Sequence, residues 1–236
     1  MNNILPVVIL SGGLATRLFP ETKNIPKSLI EVAGKPFIHW QLEYLYKQGV
    51  RDVVLCVGHL GEMIEDEVGN GRKFGIDIQY SFDGEKLLGT GGALKKSLEL
   101  VGENFFVLYG DVFLTIDYYL VQDFFFKTNH PALMTIYKNE NFWDRSNIIY
   151  ENKKIIEYNK SKNKVNMKYI DYGLSIINKK AFELFNLGEK FDLSDLFSPL
   201  SINGSVLGYE VFKRFYEIGS QQGLKDTEKY FNDLKK

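Results

Sequence analysis

The chain has 236 residues, 44% of them hydrophobic and 25% charged, enough for one large α/β domain or two small ones with a full core. This composition excludes disordered, collagen-like and disulfide-scaffold chains. With 29 Lys and Arg against 30 Asp and Glu, the net charge of −1 leaves no positive excess for non-specific nucleic-acid binding, and a small or locally matched anion is the expected charged partner.

The single cysteine, Cys56, sits in an apolar run and excludes both an intramolecular disulfide and a cysteine-cluster metal site. The opening Met1-Asn2-Asn3-Ile4-Leu5-Pro6 has neither a basic region nor a cleavable small-residue site. No apolar run approaches the ~20 residues of a membrane span, so the expected location is the cytoplasm, with no membrane partner.

Short β-rich runs alternate with segments of helical period through the first half. Val7–Leu10 reads as a strand, Phe37–Gln48 as a helix, Asp52–Val57 as a strand, Gly61–Val68 as a helix and Ile76–Tyr80 as a strand. Ile38, Leu42 and Leu45 mark one face of the first helix, and Gly49 stops it. Gly92–Val101 and Tyr118–Lys127 read as helices, Phe105–Tyr109 and Leu133–Tyr137 as strands. This order predicts a mostly parallel sheet covered on both faces.

After Asn139 the texture changes. Asn147–Tyr150 and Ile155–Tyr158 flank a polar turn and read as a β-hairpin, an insertion able to wall one side of a site. Tyr169–Ile177 is a further strand, Ala181–Leu187 and Leu193–Leu200 short helices, Ser205–Val211 and Arg214–Ile218 strand-like, and Gly223–Leu234 a closing helix. No linker or internal repeat interrupts the order, and no hexapeptide periodicity points to an appended β-helix.

The most informative stretch is Leu10-Ser11-Gly12-Gly13-Leu14-Ala15-Thr16-Arg17-Leu18-Phe19-Pro20, directly off the first strand. Adjacent glycines there let the backbone turn sharply and leave N–H groups at a strand's C-terminal end, where open α/β sheets bind ligands. The stretch has neither the ending of a P-loop nor the spacing of a dinucleotide fingerprint, so on its own it also fits an ordinary turn. Arg17 and Lys27, the latter held behind Pro26, can converge on one polyphosphate. Asp111 follows the strand Phe105–Tyr109 and Gly110, which puts a carboxylate at the same rim, where a Mg²⁺ ligand belongs. His39, His59 and His130 have no metal-ligand spacing, and Ser11, Ser28 and Ser146 have no triad partners.

Gly12–Arg17, Pro20, Pro26-Lys27 and Gly34-Lys35-Pro36 together resemble the signature of the sugar-1-phosphate nucleotidylyltransferases. Leu88-Gly89-Thr90-Gly91-Gly92, Tyr109-Gly110-Asp111, Tyr158-Asn159-Lys160, Asp171-Tyr172-Gly173 and Phe215-Tyr216-Glu217-Ile218-Gly219-Ser220 match further, in family order, across nearly the whole chain. Three departures stand out. Ala15 replaces a more common Gly, Asn159 replaces the more common acid before Lys160, and Glu217 replaces the usual Asp.

The resemblance implies a Rossmann-like, mostly parallel mixed sheet flanked by helices, with the hairpin insertion on the sugar side. It implies one catalytic unit over 1–236, with a nucleotide-binding half at 1–138 and a sugar-phosphate half at 139–236. Leu10, Ser11, Gly12, Gly13, Thr16, Gly89, Thr90, Gly92 and Asp111 would then bind a nucleoside triphosphate, the glycines at 89, 91 and 92 admitting a flat base. Arg17 and Lys27 would be catalytic, Asp111 and Glu217 would hold Mg²⁺, and Asn147, Lys160, Asp171, Tyr172 and Gly173 would bind the sugar 1-phosphate. An alternative for Glu217 is a structural pairing with Arg214. The small form without a β-helix most resembles guanylyltransferases for mannose or heptose 1-phosphate. Uridylyl transfer, cytidylyl transfer to a non-sugar phosphate such as phosphocholine, and a non-catalytic nucleotide-sugar sensor stay open, as does a homodimer.

Overall fold

A computed structural model of the chain describes residues 3–14, 18, 23–162 and 164–235. In chain order the elements are β1 (Val7–Leu10), β2 (Glu31–Val32), β3 (Lys35–Pro36), α1 (Phe37–Lys47), β4 (Asp52–Val57), α2 (Gly61–Val68), β5 (Asp77–Phe82) and α3 (Gly89–Lys96). There follow β6 (Asn104–Tyr109), β7 (Val112–Phe113), α4 (Tyr118–Phe126), β8 (Ala132–Lys138), β9 (Ile148–Glu151), β10 (Lys154–Tyr158) and β11 (Tyr169–Asn178). α5 (Leu193–Ile202), β12 (Val206–Val211), β13 (Tyr216–Glu217) and α6 (Gln221–Leu234) complete the order. Among the described residues no helix is long and apolar enough to cross a membrane.

Nine strands form one sheet in the order β5-β4-β1-β6-β11-β8-β12-β10-β9. The left part, β5-β4-β1-β6, is parallel throughout. β11 then runs antiparallel to both β6 and β8, and β12 lies parallel to β8. The sheet is therefore mixed as expected, with its parallel ladders concentrated in the first half. The hairpin β9–β10 is the far edge of this same sheet, and Asn152 and Lys153 turn it with φ of 50° and 63°.

Alternation along β1 explains how both faces are covered. Val7 and Ile9 enter a core with Ile38, Leu42 and Leu45 of α1, whereas Val8 and Leu10 enter a second core with Leu94 of α3 and Leu196 of α5. Ile38, Leu42 and Leu45 are buried as their spacing predicts, each worth about 1.5–3 kcal/mol of burial. Cys56 is buried too. A third, smaller cluster of Leu18, Phe37, Phe113, Ile218 and Phe231 lies where α1, β7 and α6 meet.

Three elements differ from expectation. The segment 179–184 is a 3₁₀ turn, not an α-helix, because only Ala181 and Phe182 are buried in it and no longer apolar stripe favours extending it. Arg214–Ile218 pairs only over β13, since its partner β7 has just two residues. α3 starts at Gly89, three residues early, and the amides of Gly91 and Gly92 in its first turn are satisfied from outside the helix by Phe191 O.

The ladders bring distant residues to one rim. β1, β4 and β6 end there, and so does β8. Because β11 runs the other way, its first residues lie beyond Leu108 on that side, beside the end of β6. The open end of the β9–β10 hairpin faces the same way, since Tyr169 of β11 pairs with Ile148.

Candidate active site

Among the described residues, cavities open along this rim in two places. The first, of about 280 Å³, lies over the ends of β1, β4 and β6, where strand order reverses between neighbours. Leu10, Ser11, Gly12, Gly13, Lys27, Gly89, Thr90 and Asp111 all line it. The Ser11 amide donates to Cys56 O at 2.8 Å, holding the loop against β4. Gly12 and Gly58 touch backbone to backbone, and a Cβ on Gly58 would lie 2.7 Å from Gly12 O. Thr16 and Arg17 lie outside the described residues.

Gly92 does not reach this cavity's wall. The amides of Gly91 and Gly92 donate to Phe191 O at 3.0 and 3.1 Å, and side chains there would run into the Phe191 ring and Glu189 O. These glycines seat α3 against the segment 189–192 and do not lie open for a flat base. Sequence reasoning missed Asp192 and Asp83, which line the same cavity. Asp192 had a visible signal, the Asp-x-x-Asp capping box that opens α5. Asp83 accepts from the Leu88 amide at 3.0 Å, and burial raises its pKa.

Lys27 enters from a 3₁₀ turn behind Pro26 and places Nζ 2.9 Å from Asp111 Oδ2. The turn bearing Asp111 is tied down on both sides. The Gly110 amide donates to Leu10 O at 3.0 Å, and the Ile218 amide donates to Asp111 O at 2.9 Å. β7 pairs with β13 so that Val112 faces Glu217, which sets Asp111, in the turn just before β7, close to Glu217 beside one cavity.

The Glu217 carboxylate accepts from the Gly219 and Ser220 amides and from the Ser220 hydroxyl. A carboxylate has about four acceptor sites, so three are already used in shaping the entry to α6. Arg214 is not its partner. The Arg214 guanidinium pairs with Asp226 at 3.2 Å and lies over the Trp143 ring at 3.6 Å.

The second cavity, of about 350 Å³, holds Asn147, Lys160, Asp171, Tyr172 and Gly173, together with Asp111 and Glu217. Its centre is a chain of polar contacts. Lys160 Nζ donates to Tyr109 Oη at 3.2 Å, and the hydroxyls of Tyr109 and Tyr158 each reach Asp171 Oδ2 at 3.4 Å. The Gly173 amide donates to Asp171 Oδ1 at 3.0 Å, and Asn147 Oδ1 accepts from the Asp171 amide at 3.1 Å. Gly173 is required here, because its φ is +103° and a Cβ would lie 2.9 Å from Val112.

Burial raises the Asp171 pKa, with Lys160 opposing, and pushes Tyr109 up to about 12. Lys160 as a residue is exposed, yet its ammonium turns in over the Tyr109 ring. Burial of that end lowers its pKa, and the Tyr109 oxygen with the Asp171 carboxylate more than reverses the effect, holding Lys160 charged. Tyr172 lines the cavity while its ring is buried in the core, where burial raises its pKa.

Trp143, Asp144, Arg214 and Asp226 also line this cavity and carried no sequence motif. In the sequence Tyr109 reads as part of an apolar strand, and its hydroxyl gains a role only because β11 lies alongside. Among the described residues no group of three His, Cys, Asp or Glu side chains gathers to hold a metal. Asp111, in the turn before β7, and Glu217, on the neighbouring β13, are a pair of hard oxygen donors, which fits an ion that takes one or two carboxylates and completes its shell with phosphate and water.

Comparison with known proteins adds an independent line. Residues 6–143 match the family model described as nucleotidyl transferase. Over 193 residues the chain is 35% identical to a D-glycero-alpha-D-manno-heptose 1-phosphate guanylyltransferase of Campylobacter jejuni, spanning 81% of this chain and 84% of that protein. A protein of the same description from Aneurinibacillus thermoaerophilus is 30% identical over 227 residues, spanning 95% and 97%. Among solved structures, HddC from Yersinia pseudotuberculosis complexed with GMP-PN matches with a TM-score of 0.82 at 25% identity, over 96% of this chain and 99% of that one.

Proposed function

The chain belongs to the nucleotidyl transferase family as a sugar-1-phosphate nucleotidylyltransferase, and from that premise we propose that it transfers a guanylyl group from GTP to heptose or mannose 1-phosphate. The observation that carries the reading is the shared wall of the two cavities, in which Tyr109 and Asp111 line both. A triphosphate over β1 and a sugar phosphate beside Lys160 meet at Asp111. The guanylyl preference is supported by the named relatives and by the GMP-PN complex of the solved neighbour.

In this reading an oxygen of the sugar phosphate attacks the α-phosphorus in line. A new P–O bond forms, the bond to the β-phosphate breaks, and pyrophosphate leaves with the electron pair. No protein nucleophile is needed, because a phosphate monoester is already anionic, and catalysis is positioning with charge neutralisation. Lys27 meets the α-phosphate and the incoming phosphate, Arg17 the departing pyrophosphate, and Lys160 the sugar phosphate. Leu10, Ser11, Gly12, Gly13, Thr16, Gly89 and Thr90 wall the nucleotide, while Asn147, Asp171, Tyr172 and Gly173 wall the sugar.

Asp111 and Glu217 would hold Mg²⁺, Glu217 through its remaining acceptor site or through water, and the ion when bound neutralises phosphate charge. One sheet running through both halves supports reading 1–236 as one catalytic unit.

The test is pyrophosphate release from each common triphosphate against a panel of sugar 1-phosphates and phosphocholine, with Mg²⁺ present. Release with GTP and heptose or mannose 1-phosphate is expected. Release with another pair reassigns the substrates, and no release anywhere favours a non-catalytic sensor.

A further inference from the structure

We propose that Gln41 is a positioning residue that sets the aim of the Asp111 carboxylate and thereby the affinity for the divalent metal, an inference that rests on Asp111 being a metal ligand. Gln41 lies in the middle of α1 and is only 2% exposed. Its Nε2 donates to Tyr109 O at 3.1 Å and to Val112 O at 2.7 Å, the two carbonyls that bracket Gly110 and Asp111. The amide has only one workable orientation, since turned over it would set Oε1 against both carbonyl oxygens.

In that orientation Oε1 is buried with no hydrogen-bond partner among the described residues. An oxygen buried in this way carries a cost to stability. The neighbouring inward positions of α1 are Ile38, Leu42 and Leu45, so an apolar side chain suits the helix and would avoid the cost. What the glutamine gives in return is local: it fixes both ends of the turn that carries one carboxylate.

The other ties on that turn do not replace it. Gly110 is held by Leu10, and the Asp111 carbonyl by Ile218, both through backbone at the middle of the turn. Lys27 touches the carboxylate itself, but from a separate segment, whereas Gln41 grips the backbone on either side, so its loss removes the side-chain ties at both ends of the turn and lets the carboxylate shift within the remaining ones. Groups that orient a metal ligand from behind change metal affinity or activity by about 10–100-fold.

The experiment uses the full chain with Gln41→Met, which keeps the volume, and Gln41→Asn, which keeps the amide but shortens its reach. Mn²⁺ alone is titrated by electron paramagnetic resonance, with a thermal melt of each variant and Asp111→Asn as the reference for a lost ligand. The expected result is Mn²⁺ binding weakened about tenfold in each folded Gln41 variant, with a parallel rise in the Mg²⁺ concentration for half-maximal turnover. Mn²⁺ binding within about twofold of the parent, with or without a lower melting temperature, overturns the proposal and leaves Gln41 a packing residue. If Asp111→Asn itself binds Mn²⁺ like the parent, the metal assignment fails first and the proposal with it.

Discussion

Lys27 Nζ stands 2.9 Å from Asp111 Oδ2, an ion pair joining the turn after Pro26 to the end of β6 across 84 residues of sequence. Both side chains keep some solvent contact, so the pair adds only about 0–1 kcal/mol to stability. Its placement at the wall common to both cavities gives it a larger role in turnover.

Replacing Lys27 by Met, or Asp111 by Asn, is therefore expected to lower kcat by about 10²–10³-fold, the effect of removing one preorganised charge-stabilising group. The melting temperature should move by no more than a few degrees. Pyrophosphate release and a circular-dichroism melt on the same preparation check both halves of this expectation, and near-parental turnover of Asp111→Asn would sink the assignment.

Tyr109→Phe keeps the ring that lines both cavities and removes the hydroxyl between Lys160 and Asp171. A net hydrogen-bond contribution of about 1 kcal/mol predicts a KM for the sugar 1-phosphate raised about fivefold. The KM for the triphosphate should stay within error. Equal effects on both constants would mean that the hydroxyl does not serve the sugar side.

Tyr44 and Tyr109 both have pKa values pushed up to about 12, chiefly by burial. The folded state holds these protons longer than the unfolded chain, whose phenols ionise near pH 10. Their contribution to stability is thus complete below pH 10 and is lost as pH rises from 10 towards 12. Denaturation midpoints measured across that window should fall steadily in the parent and less steeply in Tyr109→Phe.

Gly91→Ala tests whether the glycines at the start of α3 serve packing. Its new methyl would meet the Phe191 ring, and overpacking of this kind costs about 1–3 kcal/mol. A lowered melting temperature with near-parental KM for the triphosphate is expected. A raised KM without loss of stability would restore the view that this glycine admits the base.

The elements legible in the sequence were those with two independent signals. α1 had both an apolar stripe and Gly49 to end it, and the hairpin had alternating residues around a polar turn. The segment 179–184 has a cap in Asn178 but no full apolar stripe behind it to separate a helix from a 3₁₀ turn. At the site, Lys27 and Asp111 were legible because each sits within a few residues of the strand or turn that places it. Trp143 and Arg214 follow β8 and β12, which run side by side towards the same rim, and Asp226 is brought to them on α6. Gly92 illustrates a different limit: a missing side chain looks the same in sequence whether a ligand or another loop fills the space.

The position of β8 has a consequence for any attempt to divide the protein. By chain order β8 closes the first half, yet its hydrogen-bonded neighbours are β11 and β12, both from the second. A fragment ending at residue 138 would leave that strand without a partner and strip β6 of its outer neighbour, presenting both edges of β8 and one of β6 to self-association. Co-expressed fragments should therefore reconstitute better when cut in the loop before β8, at residues 128–131, than at the boundary the sequence itself suggests.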